Sequence, residues 1–257
     1  MNNVYIMSAN RSAIGGFGGA LKNHCPVDLG TLVAKEAIAR SGYEANEVEH
    51  AVFGNVIHTE PRDMYVSRVI ALQAGMDKAS AALTVNRLCG SGLQAIVSAS
   101  QIIMLGDASV AMAGGVEVMS NGAHIVQGFR WGSRMGDGQV HDMMLGALHD
   151  PFGHGHMGIT AENISSRYQI SREMQDEFAL TSQKRAYEAI ENGAFKDQIL
   201  PIEIKTRKGI EIFEIDEHPK PETSIETLTG LRTAFKKDGV VTAGNASGIN
   251  DGASALI

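Results

Sequence analysis

The chain has 257 residues, 44% of them hydrophobic and 20% charged, a globular composition that excludes a disordered tail. Its 22 basic and 29 acidic residues sum to −7 with no dominant basic block, so nucleic acid is not an expected partner. Two cysteines, Cys25 and Cys89, make no disulfide framework. The start, MNNVYIMSANR, lacks a basic leader followed by an apolar core. The longest nearly apolar stretch, 92–105, contains Gln94, Ser98, Ser100 and Gln101 and reads as too short and too polar for a bilayer, so no membrane is expected. A cytoplasmic protein in a reducing compartment is the expectation.

In chain order, residues 4–8 read as a buried strand. Asp28 can cap a helix that carries Leu29, Leu32, Val33 and Ala37 on one face and stops near Gly42. A strand follows at 51–57. Asp63 can cap a second helix, with Val66, Val69 and Ile70 inward and Gly75 past its end. After a short strand at 83–86, residues 90–105 form a helix that is small or apolar on nearly every side, the signature of burial all round. Another apolar strand covers 110–119. This alternation predicts an α/β fold with a largely parallel sheet covered on both faces.

The texture changes after Ser120. Residues 121–158 hold five of the nine histidines and little periodicity, as long functional loops do. Ser171 can cap a helix to about Asn192, with Met174, Phe178, Ala186 and Ile190 in one stripe and Gly193 as its stop. Residues 201–205 and 210–216 suit a hairpin turning at Lys208 and Gly209. Strands are expected at 240–242 and 253–257. The organisation predicted is a core at 1–120, completed by a strand at 249–257, and a loop domain at 121–248. The apolar end, Ala253, Ala255, Leu256 and Ile257, reads either as a docked last strand or as core that a second half would complete.

The run Asn86-Arg87-Leu88-Cys89-Gly90-Ser91-Gly92 joins a strand to the apolar helix. A thiol there sits beside unpaired N–H groups at the positive end of the helix dipole, which favours the nucleophilic thiolate. The same N–H groups suit a developing oxyanion. Local pattern alone leaves an inert buried cysteine equally open. Cys25, in a loop before Pro26, has no such setting and reads as an inert thiol.

NRLCGSGLQAI at 86–96 closely resembles the nucleophile segment of the thiolases, the acetyl-CoA acetyltransferase and 3-ketoacyl-CoA thiolase family. SANRSAIGGFGGAL at 8–21, GDASVAMAGGVEVMS at 106–120, HMGITAEN at 156–163, SREMQDEFA at 171–179, FKDQILP at 195–201 and VTAGNASGINDGA at 241–253 agree with it in order. GNVIHTEPRDMY at 54–65 and MMLGALHDPF at 143–152 look most like short-chain β-ketothiolases of polyhydroxyalkanoate pathways. The resemblance implies a thiolase-like α/β fold: an N-terminal αβα half with a buried nucleophile helix, plus the inserted loop domain. It implies acyl transfer from an acyl-CoA through a thioester on Cys89, with thiolysis by CoA or Claisen condensation with acetyl-CoA as the second step. Acyl-CoA and CoA are then substrates, and no cofactor or metal is needed. Leu148, His156 and Met157 match positions at the pantetheine and acyl end of the pocket. Phe235, Ala243, Ala246 and Ser247 match positions along the pantetheine arm, and Lys220 a basic position near the nucleotide. Plain packing remains open for Phe235, Ala243 and Ala246, and a solvated surface cation for Lys220. Segment 124–145 resembles the family's tetramerisation loop, implying a homotetramer or dimer.

The family's Gly-His-Pro, Asn-Glu-Ala-Phe and late cysteine motifs are absent, and His218-Pro219 follows Glu217 instead. The chain thus resembles the first two-thirds of a thiolase. On its own it is expected to expose the helix at 90–105 and to show little condensation activity, so thiolysis of acetoacetyl-CoA by a chain of this length would contradict that expectation. Alternatives are a truncated thiolase-like acyl-CoA-binding protein without turnover, a ketoacyl synthase, and a metal-dependent hydrolase built on His141, Asp142, His149, Asp150, His154 and His156. The glycines at 15–19 fail a dinucleotide loop, because Leu21 occupies the third glycine's place.

Overall fold

The computed structural model describes residues 3–257. The first part of the chain builds β1 (Ala9–Ser12), β2 (Gly15–Gly16), α1 (Pro26–Ser41), β3 (His50–Gly54), α2 (Val66–Gln73), β4 (Ala81–Val85), α3 (Ser91–Leu105) and β5 (Ala111–Val118). The excursion that follows holds two short antiparallel pairs, β6 (His124–Val126) with β7 (Val140–Asp142) and β8 (His149–Asp150) with β9 (Gly155–His156), and the five-residue α4 (Met143–Ala147). Then come α5 (Met157–Tyr168), α6 (Arg172–Glu191), β10 (Ile199–Leu200), the hairpin β11 (Ile202–Thr206) and β12 (Gly209–Phe213), and α7 (Ile225–Thr229). β13 (Asn250–Leu256) returns to the main sheet.

That sheet runs β10-β1-β13-β5-β3-β4, with β2 also on β13. β3 is parallel to β4 and β5, but β13 is antiparallel to β1 and β5, so the sheet is mixed rather than largely parallel. The reason lies in the excursion. The chain leaves β5 at Val118 and comes back at the same end, pairing Asp251 with Val118, so it can only run the opposite way.

The two faces of β5 alternate. Met112, Val116 and Val118 join Leu29, Val33 and Ile70 of α1 and α2 in the larger core, while Ala111 and Ala113 meet Ala95 and Ala99 of α3. Helix α3 is therefore buried on its sheet side only: Leu93, Val97, Met104 and Leu105 are exposed, a correction to burial all round and the exposure expected of this chain alone. By length and composition Leu88–Leu105 is apolar enough to cross a bilayer, contrary to the reading of 92–105. In the fold it docks Ala95 and Ala99 on the sheet.

Other expectations shift. Residues 4–8 form no strand, and Tyr5, Ile6 and Met7 are exposed; pairing begins at Met7 and Ser8 against Ile257. An apolar run does not fix where a ladder starts. Helix α1 starts at Pro26, with Cys25 rather than Asp28 at its cap position, and Leu32 is exposed. Asp63 lies fully buried in a 3₁₀ turn, where its carboxylate accepts from the N–H groups of Thr59 and Glu60, and α2 begins at Val66. Ser171 does cap α6, accepting from Met174 N, but Met174 and Phe178 face outward and Asp176 is the buried side chain. No strand forms at 240–242 beyond one bridge from Thr242 to Thr233.

Gly54 ends β3 against the start of α3. A Cβ there would lie 2.7 Å from the Ser91 carbonyl carbon and 2.7 Å from its Cβ. Gly54→Ala is expected to push the helix start off the sheet and to cost roughly 1–3 kcal/mol. Denaturant unfolding checks this, and an unchanged midpoint would show that the helix start yields freely.

Candidate active site

The turn 86–91 is built to present one side chain. Leu88 adopts φ +48°, a left-handed conformation that non-glycine residues rarely take. It is held there because Asn86 Oδ1 accepts from Leu88 N (3.0 Å), Ser91 Oγ accepts from Arg87 N (2.8 Å) and Ser91 Oγ donates to Leu88 O (2.6 Å). Strain held by surrounding bonds is typical of functional turns. Cys89 follows directly, exposed and free, with Gly90 at the cap position of α3. Gly90 N and Ser91 N donate to Arg87 O and Leu88 O. Those two N–H groups therefore close the turn and are not free for an oxyanion, whereas no such backbone bond is found for Cys89 N or Gly92 N among the described residues.

Cys89 opens into a cavity of about 470 Å³. One wall is the end of β3 and its continuation, Val56 and Ile57. A second is β5 at Gly115 and Glu117, and a third is β13 from Asn250 to Ser254. Arg11 and Leu148 close the sides. Asp251 is 1% exposed, and burial raises its carboxyl above the usual range against the pull of Ser120, whose N and Oγ donate to it at 2.9 and 2.6 Å. Arg11 is neutralised by a bidentate pair with Asp216 (2.8 and 3.0 Å). That pair and Glu217, which accepts from Gly16 N (2.7 Å), fasten the 121–248 segment to β1 and β2.

Glu117 accepts from Asn55 Nδ2 (3.0 Å), Val56 N (3.0 Å) and Ile57 N (2.9 Å), yet burial pushes its carboxyl from 4.5 to about 7. The folded protein thus holds a proton that the unfolded chain releases at lower pH. Stability from this group is fully present below pH 4.5 and is lost as pH rises towards 7, by up to about 3 kcal/mol. The unfolding free energy of the wild type should fall across this window more steeply than that of Glu117→Gln. Parallel profiles for the two proteins would refute the assignment.

Of the residues singled out by sequence, Leu148 lines the cavity with Cys89. His156, Met157 and Phe235 do not line it, though Met157 N donates to Leu148 O (2.9 Å). His156 stacks on Phe235 with ring centres 4.7 Å apart, and its Nδ1 accepts from Gly158 N (3.0 Å) at the start of α5. Burial, with His149 nearby, holds its pKa below the ordinary value, so the ring is neutral at neutral pH. Ala243, Ala246 and Ser247 do not line the cavity. They ride on a loop fixed from two helices: Glu162 of α5 accepts from Val240 N and Val241 N, and Asp176 of α6 accepts from Asn245 Nδ2 (2.9 Å). Ala234 N donates to Val241 O, tying Phe235's strand of chain to that loop. Ser247 Oγ donates to Gly248 O (3.3 Å). Lys220 is exposed, with its backbone N–H on Gln183 Oε1 (2.8 Å), and it does not line the cavity. Cys25 donates to Asp28 Oδ2 (2.9 Å), and burial followed by that bond pushes its thiol up to about 11, as suits an inert thiol.

Sequence reasoning missed Arg11, Glu117 and Asp251. Glu117 was findable, because the two-residue period of β5 puts it on the face of Ala113 and Gly115. Asp251 and Arg11 depend on the return of β13, which local pattern does not reveal. Among the described residues, no group of three or more His, Cys, Asp or Glu side chains could hold a metal ion. His149 Nδ1 contacts Leu145 O and His156 caps α5, so the hydrolase alternative gains no support.

The family model described as "Thiolase, N-terminal domain" matches residues 4–257. The chain is 56% identical over 255 residues to Beta-ketothiolase BktB of Cupriavidus necator, covering 99% of this chain and 65% of that protein. It is 45% identical to an acetyl-CoA acetyltransferase of Escherichia coli, covering 100% and 66%. The Bacillus anthracis acetyl-CoA acetyltransferase structure superposes with a TM-score of 0.95 at 47% identity, over 100% of this chain and 65% of that one. Human mitochondrial 3-ketoacyl-CoA thiolase in complex with CoA gives 0.94 at 39%, over 98% and 63%. The chain spans a little under two-thirds of the length of the first of these relatives. With the family model matching nearly its whole length and a 0.95 superposition at 47% identity, the chain belongs to the thiolase family.

Proposed function

We propose that the protein is an acyl-CoA C-acyltransferase that forms or cleaves a short 3-ketoacyl-CoA, such as acetoacetyl-CoA, through an acyl group held on Cys89. The observation that carries this is an exposed thiol on a strained, hydrogen-bonded turn that lines a largely apolar cavity. In the first step the Cys89 sulfur attacks the thioester carbonyl of an acyl-CoA. The carbon–sulfur bond to CoA breaks, and CoA leaves as a thiol with the proton that Cys89 gives up. In the second, the CoA thiol (thiolysis) or the α-carbon of acetyl-CoA (condensation) loses a proton and attacks the acyl-cysteine carbonyl; the carbon–sulfur bond to Cys89 breaks and the cysteine is restored as the thiol with that proton. The names of the relatives support this chemistry, and the bound CoA of the human structure supports CoA as the carrier.

Leu148, Met157 and the His156–Phe235 stack are read as seating the acyl and pantetheine end. Ala243, Ala246 and Ser247 are read as flanking the pantetheine arm, and Lys220 as a nucleotide contact. The reading carries with it a cytoplasmic homotetramer or dimer without metal or organic cofactor, no nucleic acid or membrane partner, and a place in polyhydroxyalkanoate or fatty-acid metabolism. The two-domain division, 1–120 with 249–257 and 121–248, is part of the same proposal. A two-step mechanism exchanges labelled CoA into acetyl-CoA with no second acyl substrate present. Absence of that exchange in the purified protein would contradict it.

A further inference from the structure

Acyl transfer at Cys89 leaves Glu117 without a role, although it lines the same cavity. On β5, Gly115 lies against Gly92 in the first turn of α3, and the strand's alternation carries Glu117 one step further along that face. Among the described residues its carboxylate forms no ion pair. It gathers three donors from three consecutive residues: Asn55 Nδ2, Val56 N and Ile57 N. These residues leave β3 where Gly54 meets the start of α3, and Val56 and Ile57 form the cavity wall. Asn55 Nδ2 also donates to Val116 O (2.9 Å), so the segment is sewn to β5 twice. An apolar side chain would cover the strand without the burial cost seen at Glu117, but it would leave two backbone N–H groups without acceptors.

We propose that Glu117 is a positioning residue for acyl transfer at Cys89, holding residues 55–57 as the wall against which the acyl thioester is seated. This role rests on the acyl-cysteine reading of the site.

The test compares purified wild type, Glu117→Ala and Glu117→Gln in three measurements: hydrogen exchange of the Val56 and Ile57 amides, transfer of acetyl from acetyl-CoA to Cys89 by peptide mass, and alkylation of Cys89 by iodoacetamide, which needs no seat. In Glu117→Ala the two amides should exchange at least about tenfold faster and acetylation should slow about tenfold, with alkylation within about twofold of wild type. Glu117→Gln keeps an acceptor for Ile57 N and Asn55 Nδ2 and should recover most of both losses. Being the milder change, it carries the comparison if the alanine variant does not fold, with acetylation about threefold slower than wild type expected. Wild-type exchange at 55–57, wild-type acetylation, a parallel loss of alkylation, or a glutamine variant no better than alanine overturns the role. A wild type that takes no acetyl at Cys89 overturns the acyl-cysteine reading and this role together. Acetylation that Glu117→Ala leaves intact overturns this role alone.

Discussion

Cys89→Ala is expected to lower the exchange of labelled CoA into acetyl-CoA by roughly four orders of magnitude or more while leaving stability within about 0.5 kcal/mol. The two effects separate because the side chain is exposed: the turn is held by Asn86, Ser91 and backbone bonds, none of which uses the thiol. No other thiol can substitute. Cys25, the only other cysteine, is kept protonated by burial and by Asp28 and lies outside the cavity. Exchange of labelled CoA into acetyl-CoA, alongside a thermal melt, checks both halves. Retained turnover would remove Cys89 from the chemistry, and a collapsed melt would mean the thiol is structural.

Asp176→Ala has the largest expected effect on stability, about 3 kcal/mol. Asp176 is 1% exposed and accepts from Arg172 Nε (2.7 Å) and Asn245 Nδ2 (2.9 Å). Asn245 in turn accepts from Thr242 N (2.7 Å) and donates to Val240 O (3.0 Å). Losing the carboxylate leaves Arg172 without its ion-pair partner and releases the loop that carries Ala243, Ala246 and Ser247. Denaturant unfolding should show the loss, and calorimetry should show CoA affinity falling roughly tenfold with it. A variant of wild-type stability that binds CoA normally would refute this scaffold and, with it, the pantetheine role proposed for the loop.

Much of this was legible in residue order. Gly42 and Gly106 end α1 and α3 in left-handed conformations, Ser171 caps α6, and the hairpin turns between Thr206 and Gly209. These are local effects, in which the backbone demand and the residue answering it lie within a few positions. What stayed hidden depends on distant partners. The antiparallel entry of β13 follows from where the excursion ends, and with it come Asp251 and the third cavity wall. The stripe of Met174 and Phe178 was read correctly as helical, but periodicity does not say which face meets the protein, and Asp176 does. At the site, Cys89 stood out because the strand-to-helix turn, its glycines and the apolar helix are contiguous. Lys220 matched a position only by resemblance, and it stands outside the cavity's lining.

The most direct measurement is the mass of the peptide carrying Cys89 after the purified protein is mixed with acetyl-CoA and quenched in acid. An added acetyl group on that peptide, released by CoA and missing from Cys89→Ala, is the predicted result. An unmodified peptide, or acetyl found on the alanine variant, would contradict the account.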